Sequence, residues 1–202
     1  MASMHLPKKG IRVLGIAESY TGRVRSTLAG VVMRKDLRID GFAFGQVTVG
    51  GMDATGAVVR MIRDLERKDI NAVMLSGCVI AWFNVMDPAG IAETTGLPVV
   101  CVTYEDSDGL AGDIRHHFPG DLPRAEAYER LGERIPASLG PGATVYIRSW
   151  GISGGDAAVL CRDFTHEGKI PEPLRVARLC ARRASSFSDG LPGDERAGSP
   201  VR

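Results

Sequence analysis

The stretch Val73–Asp87, "VMLSGCVIAWFNVMD", decides how this chain is read. It begins as an apolar run, Val73-Met74-Leu75, and breaks at Ser76-Gly77. A short apolar run closed by a glycine reads as a strand covered on both faces. In open α/β sheets the crevice outside the carboxyl ends of such strands is where ligands are held. A metal-dependent enzyme would place an acid at that end, because hard divalent cations take carboxylate oxygens. This strand ends on a serine instead.

Working outward, the period of the sequence changes on either side of this strand. Upstream, Ala54, Ala57, Val58, Met61, Ile62 and Leu65 recur at helical spacing, a one-sided amphipathic helix. Asp53 stands at its N-cap, where a carboxylate accepts from first-turn amides. Before it, Ile11–Ile16, Ser26–Arg34 and Leu37–Val49 read as three strands with short connections, hence an antiparallel meander. Gly41 and Gly45 in the third suggest a bend or bulge. Downstream, a short helix over Pro88–Thr95 ends at Gly96, and Leu97–Tyr104 is another buried strand. Strand, helix and strand of these lengths make a right-handed parallel crossover. A helix and exposed loop over Asp106–Pro123 follow, then a charged helix from Arg124 to Arg134. Ala143–Trp150 is the last strand. Ser153 caps a helix over Asp156–Phe164, and Pro171 and Pro173 open a final one over Leu174–Arg183. The order predicts an α/β fold with a ribonuclease H-like mixed sheet: three antiparallel strands, then parallel strands with crossover helices. A doubly wound nucleotide fold would carry G-x-G-x-x-G after its first strand. "GIAESYTG" lacks it.

The 202 residues suffice for one domain, at about 100–200 residues per domain. It is expected over 9–185, with 1–8 and 186–202 as flexible termini rich in polar and charged residues. Lys and Arg number 25 against 24 Asp and Glu, a net charge of +1. That balance argues for no overall attraction to nucleic acid or an anionic membrane, so any basic patch must be local. Cys78, Cys101, Cys161 and Cys180 form no C-x-x-C pair and sit among apolar residues, as small core side chains do. No secretory h-region opens the chain, and no run nears the roughly 18 apolar residues of a membrane span. A cytoplasmic protein is expected, with no membrane partner and its oligomeric state left open.

Candidate chemistry concentrates at strand ends. The first strand places Ala17 where an inward acid would stand. Glu18 is adjacent, but strand side chains alternate between faces. Asp53 and Asp87 complete the candidate catalytic set, each at a position where helix capping is sufficient explanation. Asp40 and Glu105 are further strand-end acids without a signal of their own. Ser76 lies in no G-x-S-x-G elbow, and His116 and His117 fall in a polar stretch expected to be exposed. On the final helix Arg175, Arg178 and Arg182 fall within a stripe about 60° wide, with apolar residues around the rest. That ridge suits either phosphate contacts or a solvated face paired to acids. Trp82, Phe83 and Asn84 form a loop whose aromatics either stack on bases or anchor the loop.

Together the blocks "IRVLGIAES", "VTVGGMDAT", "VMLSGCVIAWFNVMD", "TGLPVVCVTY", "YIRSWGIS" and "GKIPEPLRVARL" resemble an archaeal family of uncharacterised proteins related to endonuclease V. The resemblance spans roughly Lys9 to Arg183. It implies an endonuclease V-like fold and, in true endonuclease V, Mg²⁺-dependent cutting near deaminated bases, especially hypoxanthine. Three acids of the family pattern are missing: Ala17 stands for the first Asp of Gly-Ile-Asp-Asp, Ser76 for the Asp of Leu-Asp-Gly, and Gly50 for the Asp of Val-Asp-Gly. The expectation is a catalytically impaired relative with no metal or other cofactor. DNA or RNA would meet Arg175, Arg178, Arg182 and the Trp82-Phe83-Asn84 loop. Two other readings stay open: a Mg²⁺-dependent nuclease rebuilt on Glu18, Asp53 and Asp87, and a small-molecule or protein-binding scaffold.

Overall fold

The run at Val73 lies at the centre of the sheet. The computed structural model describes residues 10–20 and 24–188. β1 (Arg12–Ser19), β2 (Arg25–Arg34) and β3 (Ile39–Thr48) form the expected antiparallel meander. Its register shifts between Val32 and Met33, opposite the stretch around Asp40. Gly45 has another use: a Cβ there would sit 2.8 Å from Met61 Sδ, so the glycine lets α1 (Ala54–Asp64) lie close on the sheet.

β4 (Ala72–Ser76) runs parallel to β1. The chain then makes a small hairpin, β5 (Val79–Ile80) and β6 (Asn84–Val85), that the sequence did not suggest. α2 (Pro88–Thr95) is capped as expected, Gly90 N donating to Asp87 at 3.1 Å and Gly96 closing it at φ 69°. β7 (Val99–Thr103) lies parallel to β4. α3 (Ala111–His117) and α4 (Leu122–Glu129) follow, and α4 starts before the expected Arg124.

Two corrections fall in the last third. β8 (Ile135–Gly140) was not foreseen, and β9 (Ala143–Trp150) runs antiparallel to β7 rather than parallel. β8 is a half-exposed edge strand containing Pro136, a residue that edges tolerate and that masks a strand signal. It delivers the chain into β9 through the tight turn at Pro141-Gly142, and that hairpin reverses the direction. The sheet order is β3-β2-β1-β4-β7-β9-β8.

α1, α2 and the end of α4 cover one face of the sheet. α5 (Gly154–Asp163), capped by Ser153 as expected, and α6 (Glu172–Ser188) cover the other. α6 is longer and more one-sided than expected. Leu174, Ala177, Ala181 and Ser185 are buried, while Leu179 is 50% exposed. Its last turn takes in 186–188, residues assigned to a flexible terminus; 1–8 and 189–202 lie outside the described residues. Cys78 and Cys101 are buried, as expected of small core residues. They are also joined as a disulfide, their Cα atoms 6.3 Å apart, a pairing with no signal in the spacing. Among the described residues no helix is long and apolar enough to cross a membrane.

Candidate functional site

The parallel register sets Ile16 beside Leu75, so Ala17, two residues before the end of β1, comes beside Ser76 at the end of β4. Both face α6. The Ser76 hydroxyl lies 3.1 Å from the Tyr104 hydroxyl and accepts from Arg178 Nη2 at 3.2 Å. The same guanidinium carbon stands 5.1 Å from the Tyr104 ring centroid, a cation–π contact. Burial pushes the Tyr104 phenol above its ordinary value, against the pull of Ser76 and Arg178, so it stays neutral at physiological pH. At the strand ends facing α6 there is thus a guanidinium, two hydroxyls and a methyl group.

The three arginines of the expected ridge on α6 divide into three environments. Arg175 is neutralised by a bidentate pair with Glu172, down to 2.6 Å. Arg178 turns inward to Ser76. Arg182 is exposed. Neither Arg178 nor Arg182 has a carboxylate within ion-pair distance among the described residues. The ridge expected from the sequence therefore holds two uncompensated cations rather than three.

The three candidate acids go to separate tasks. Glu18 points to the opposite face from Ala17, as strand alternation requires. It accepts from the Ser26 hydroxyl and from Ala81 N at 3.3 Å. Asp53 does not cap α1, contrary to expectation. It folds back to accept from Thr48 N at 3.1 Å, Thr48 Oγ1 at 2.8 Å and Asn84 Nδ2 at 2.7 Å. The first-turn amide of Ala54 donates instead to Asn84 Oδ1 at 3.1 Å. Asn84 is 0% exposed. Expected on a nucleic-acid surface, it proves to be an internal tie between the β5–β6 hairpin and α1. Asp87 caps α2. Among the described residues no group of three or more His, Cys, Asp or Glu is placed to hold a metal ion.

Burial raises the Asp53 carboxyl, but the donors from Asn84 and Thr48 outweigh it and hold it below the usual carboxylate range. A depressed folded-state value stabilises the fold above the unfolded value, which is near 4, and that stability is lost as pH falls through the folded value. Asp53→Asn is accordingly expected to be less stable than wild type from pH 7 to 5, with the gap closing in more acidic solution. Urea unfolding over that range measures it; a gap that stays constant down to pH 3 would show that the charge contributes nothing.

On the face of Glu18 the hairpin tip carries three successive residues at positive φ: Ala81 at 42°, Trp82 at 58° and Phe83 at 60°. L-residues there cost about 1–2 kcal/mol each, so the turn needs braces. Ala81 N donates to Glu18, and Gly50 N donates to Ala81 O at 2.8 Å. The strongest brace is Arg124, only 4% exposed. It donates to Gly51 O at 3.1 Å, Gly50 O at 2.8 Å and Phe83 O, pairs with Asp121 at 2.9 Å, and lies 3.9 Å over the Phe118 ring. Its only signal in the sequence is the faint one of an arginine just after Pro123 at a helix start.

The braced turn holds Trp82 49% exposed. Its ring lies 4.9 Å from His117 and 5.2 Å from Phe83, centroid to centroid, and Phe83 packs edge-on to Phe118 at 5.9 Å. His116 and His117 are exposed as expected, though they belong to α3.

This arrangement of strands and helices is that of the endonuclease V-like proteins with a ribonuclease H-like sheet. A protein of unknown function from Archaeoglobus fulgidus superposes with a TM-score of 0.75 at 26% identity, over 86% of this chain and 98% of that one. Endonuclease V from Ciona intestinalis, solved with DNA containing an inosine, gives 0.61 at 12% identity over 89% and 88% of the two chains. Human ENDOV gives 0.58 at 18% identity over 90% and 87%. At those identities the two enzymes share the fold alone. Within this class, the chain belongs to the Endonuclease dU family, matching it over residues 9–185. Among its relatives, a UPF0215 protein of Pyrobaculum calidifontis is 41% identical over 173 residues, covering 83% of this chain and 93% of that protein. A second, from Thermococcus gammatolerans, is 34% identical over 185 residues, covering 86% and 92%.

Proposed function

We propose that this protein binds single-stranded nucleic acid across the carboxyl ends of β1 and β4 without metal-dependent cleavage at that site. The observation that carries the reading is the Arg178 guanidinium on Ser76, where the family pattern has an aspartate. A divalent cation needs carboxylates to offset the loss of its water shell. Ala17 and Ser76 provide none, Glu18 faces away, and a fixed cation already occupies the approach. These residues do not fit a magnesium ion, but they fit a phosphate. Arg178 and Arg182 supply charge without internal neutralisation, and Trp82 supplies an exposed ring on which an unpaired base stacks. A strained turn held by so many bonds is the kind of backbone found at binding sites. The family's description, Endonuclease dU, and the inosine-containing DNA in the Ciona structure indicate the class of ligand to try first.

A nuclease rebuilt on Glu18, Asp53 and Asp87 is disfavoured because each acid has its own local partners. A scaffold reading would want the arginine ridge buried in salt bridges; Arg178 and Arg182 lack them.

The test is fluorescence anisotropy with labelled single strands containing deoxyuridine or inosine, at 50 and 200 mM salt. Replacing both Arg178 and Arg182 by Gln is expected to weaken binding at least tenfold. It should also flatten the salt dependence by about 1.4 in log–log slope, near 0.7 for each phosphate that is no longer neutralised. Unchanged affinity in the double variant, or no complex at 50 mM salt, would overturn the proposal.

A further inference from the structure

On the other face of the sheet, two adjoining cavities open beside β7 and β9. Thr103 and Tyr104 are neighbours in β7 and its end, and they point to opposite faces. Tyr104 reaches the Ser76 site; Thr103 lines the inner of the two cavities, about 260 Å³. An outer cavity of about 420 Å³ shares Gly109, Tyr128, Arg134 and Arg148 with it. The inner chamber lies outside the carboxyl ends of β4 and β7. There the sheet changes from parallel β4–β7 pairing to antiparallel β7–β9 pairing. Such a change of direction leaves a crevice suited to ligands.

The charges are segregated. The lining of the inner chamber contains two arginines and no acid; Asp106, Asp108 and Glu133 line only the outer cavity. Arg148 is half-buried on β9, its Nε donating to Gly132 O at 2.8 Å. No carboxylate of the described residues lies within ion-pair distance of it. Burial pushes its guanidinium below the ordinary value, and the like charge of Arg134 pushes the same way, against Tyr128. Arg134 donates to Ser107 O and lies 5.8 Å over the Tyr146 ring. Its one ion pair among the described residues, to the exposed Asp106, is long at 3.8 Å. A half-buried guanidinium beside a second one, without an anion between them, is an expensive arrangement. Two guanidiniums facing one cavity match the oxygens of a phosphate. Val79 and Leu110 supply an apolar wall for a carbon body.

We propose that this chamber binds the terminal phosphate monoester of a small ligand between Arg134 and Arg148. A free nucleoside monophosphate and the 5′-phosphate of an oligonucleotide offer the same dianion. The site lies across the sheet from Arg178 and stands independently of the function proposed above.

Calorimetric titration of the full chain with inorganic phosphate, deoxyuridine monophosphate and a 5′-phosphorylated tetranucleotide tests it. Thermal melting with each ligand is the second readout. Wild type is expected to bind at least one phosphate monoester and to melt higher with it. Arg148→Met should weaken that binding at least tenfold, while free of ligand it melts no lower than wild type, because an uncompensated charge has been removed. The Arg178 and Arg182 double variant should bind deoxyuridine monophosphate as wild type does, and the comparison with the tetranucleotide is made in that variant. Preference for the tetranucleotide would identify a strand end as the source, and preference for the mononucleotide a free metabolite; either supports the site. Should Arg148→Met fail to fold, Arg134→Met carries the same expectation for binding. No binding of either phosphate monoester by wild type, or equal binding by a folded Arg148→Met or Arg134→Met protein, would overturn it.

Discussion

Gly15→Ala is expected to destabilise this protein by about 3 kcal/mol, at the upper end for overpacking a core. Gly15 lies in β1 where the start of α6 crosses it. A Cβ there would stand 2.6 Å from both the carbonyl carbon and Cβ of Pro173 and 2.8 Å from its carbonyl oxygen. Those atoms are backbone or ring, so they cannot swing aside as the end of a flexible side chain would. Either α6 lifts or β1 bends. Both neighbours are central: β1 pairs with β2 and β4, and α6 packs on β1, β2 and β4. Lifting α6 would also carry Arg178 away from Ser76, so nucleic-acid affinity should fall with stability. Gly112→Ala is the control. Gly112 lies in α3 with open space where its Cβ would be, and alanine there should be neutral or slightly stabilising. Urea unfolding of the two variants decides the matter; a Gly15→Ala protein within 0.5 kcal/mol of wild type, on the scale of a surface substitution, would mean that the close approach is not rigid.

Arg124→Met should cost about 3–5 kcal/mol, the range for breaking a buried charged network by removing one partner. Three backbone carbonyls, those of Gly50, Gly51 and Phe83, lose their donor, and Asp121 loses its ion pair. Arg124→Lys should rescue little, since a single ammonium cannot reproduce the planar fork that spans these carbonyls. The functional consequence is separable from the loss of stability. Arg124 is too buried to touch a ligand, yet it holds Phe83 and through it the turn that presents Trp82. Under conditions where the variant remains folded, its tryptophan fluorescence should be quenched more readily by iodide, and its affinity for single strands should fall. A folded variant with wild-type affinity would show that the turn keeps its shape without this brace.

Much of the fold was legible because it follows from periodicity. The helical spacing from Ala54, the apolar runs at Val73 and Val99 and the three-strand meander all appear where their patterns lie. The final helix is also present, with Glu172–Ser188 exceeding its expected length. What escaped depends on long-range pairing. β8 alternates weakly along an exposed edge, and the direction of β9 is fixed by the turn joining it to β8 rather than by its own residues.

The candidate site was legible at its strand ends and obscure elsewhere. Ala17 and Ser76 lie side by side as the parallel register requires, and Glu18 faces the other way as alternation requires. The Asp53 cap failed because Asn84, 31 residues later, supplies the first-turn acceptor and donates to Asp53 as well. No local rule reveals a partner at that separation. Arg124 and Arg148 had faint signals: an arginine just after a Pro at a helix start, and an arginine inside an apolar strand directly after Ile147. Their burial is a tertiary fact, and the cavity beside Arg148 exists only once β9 is seen to pair with β7.

The central claim concerns the strand ends of β1 and β4: a guanidinium acts there on nucleic acid, and no metal does. It is tested most directly by incubating wild type with a 5′-labelled deoxyuridine- or inosine-containing single strand, in EDTA and in Mg²⁺ or Mn²⁺, and resolving complexes and products on native and denaturing gels. The account expects a retarded complex in EDTA, lost with the Arg178 and Arg182 double substitution, and an intact strand in every metal condition. Strand scission that requires Mg²⁺ or Mn²⁺ would contradict it.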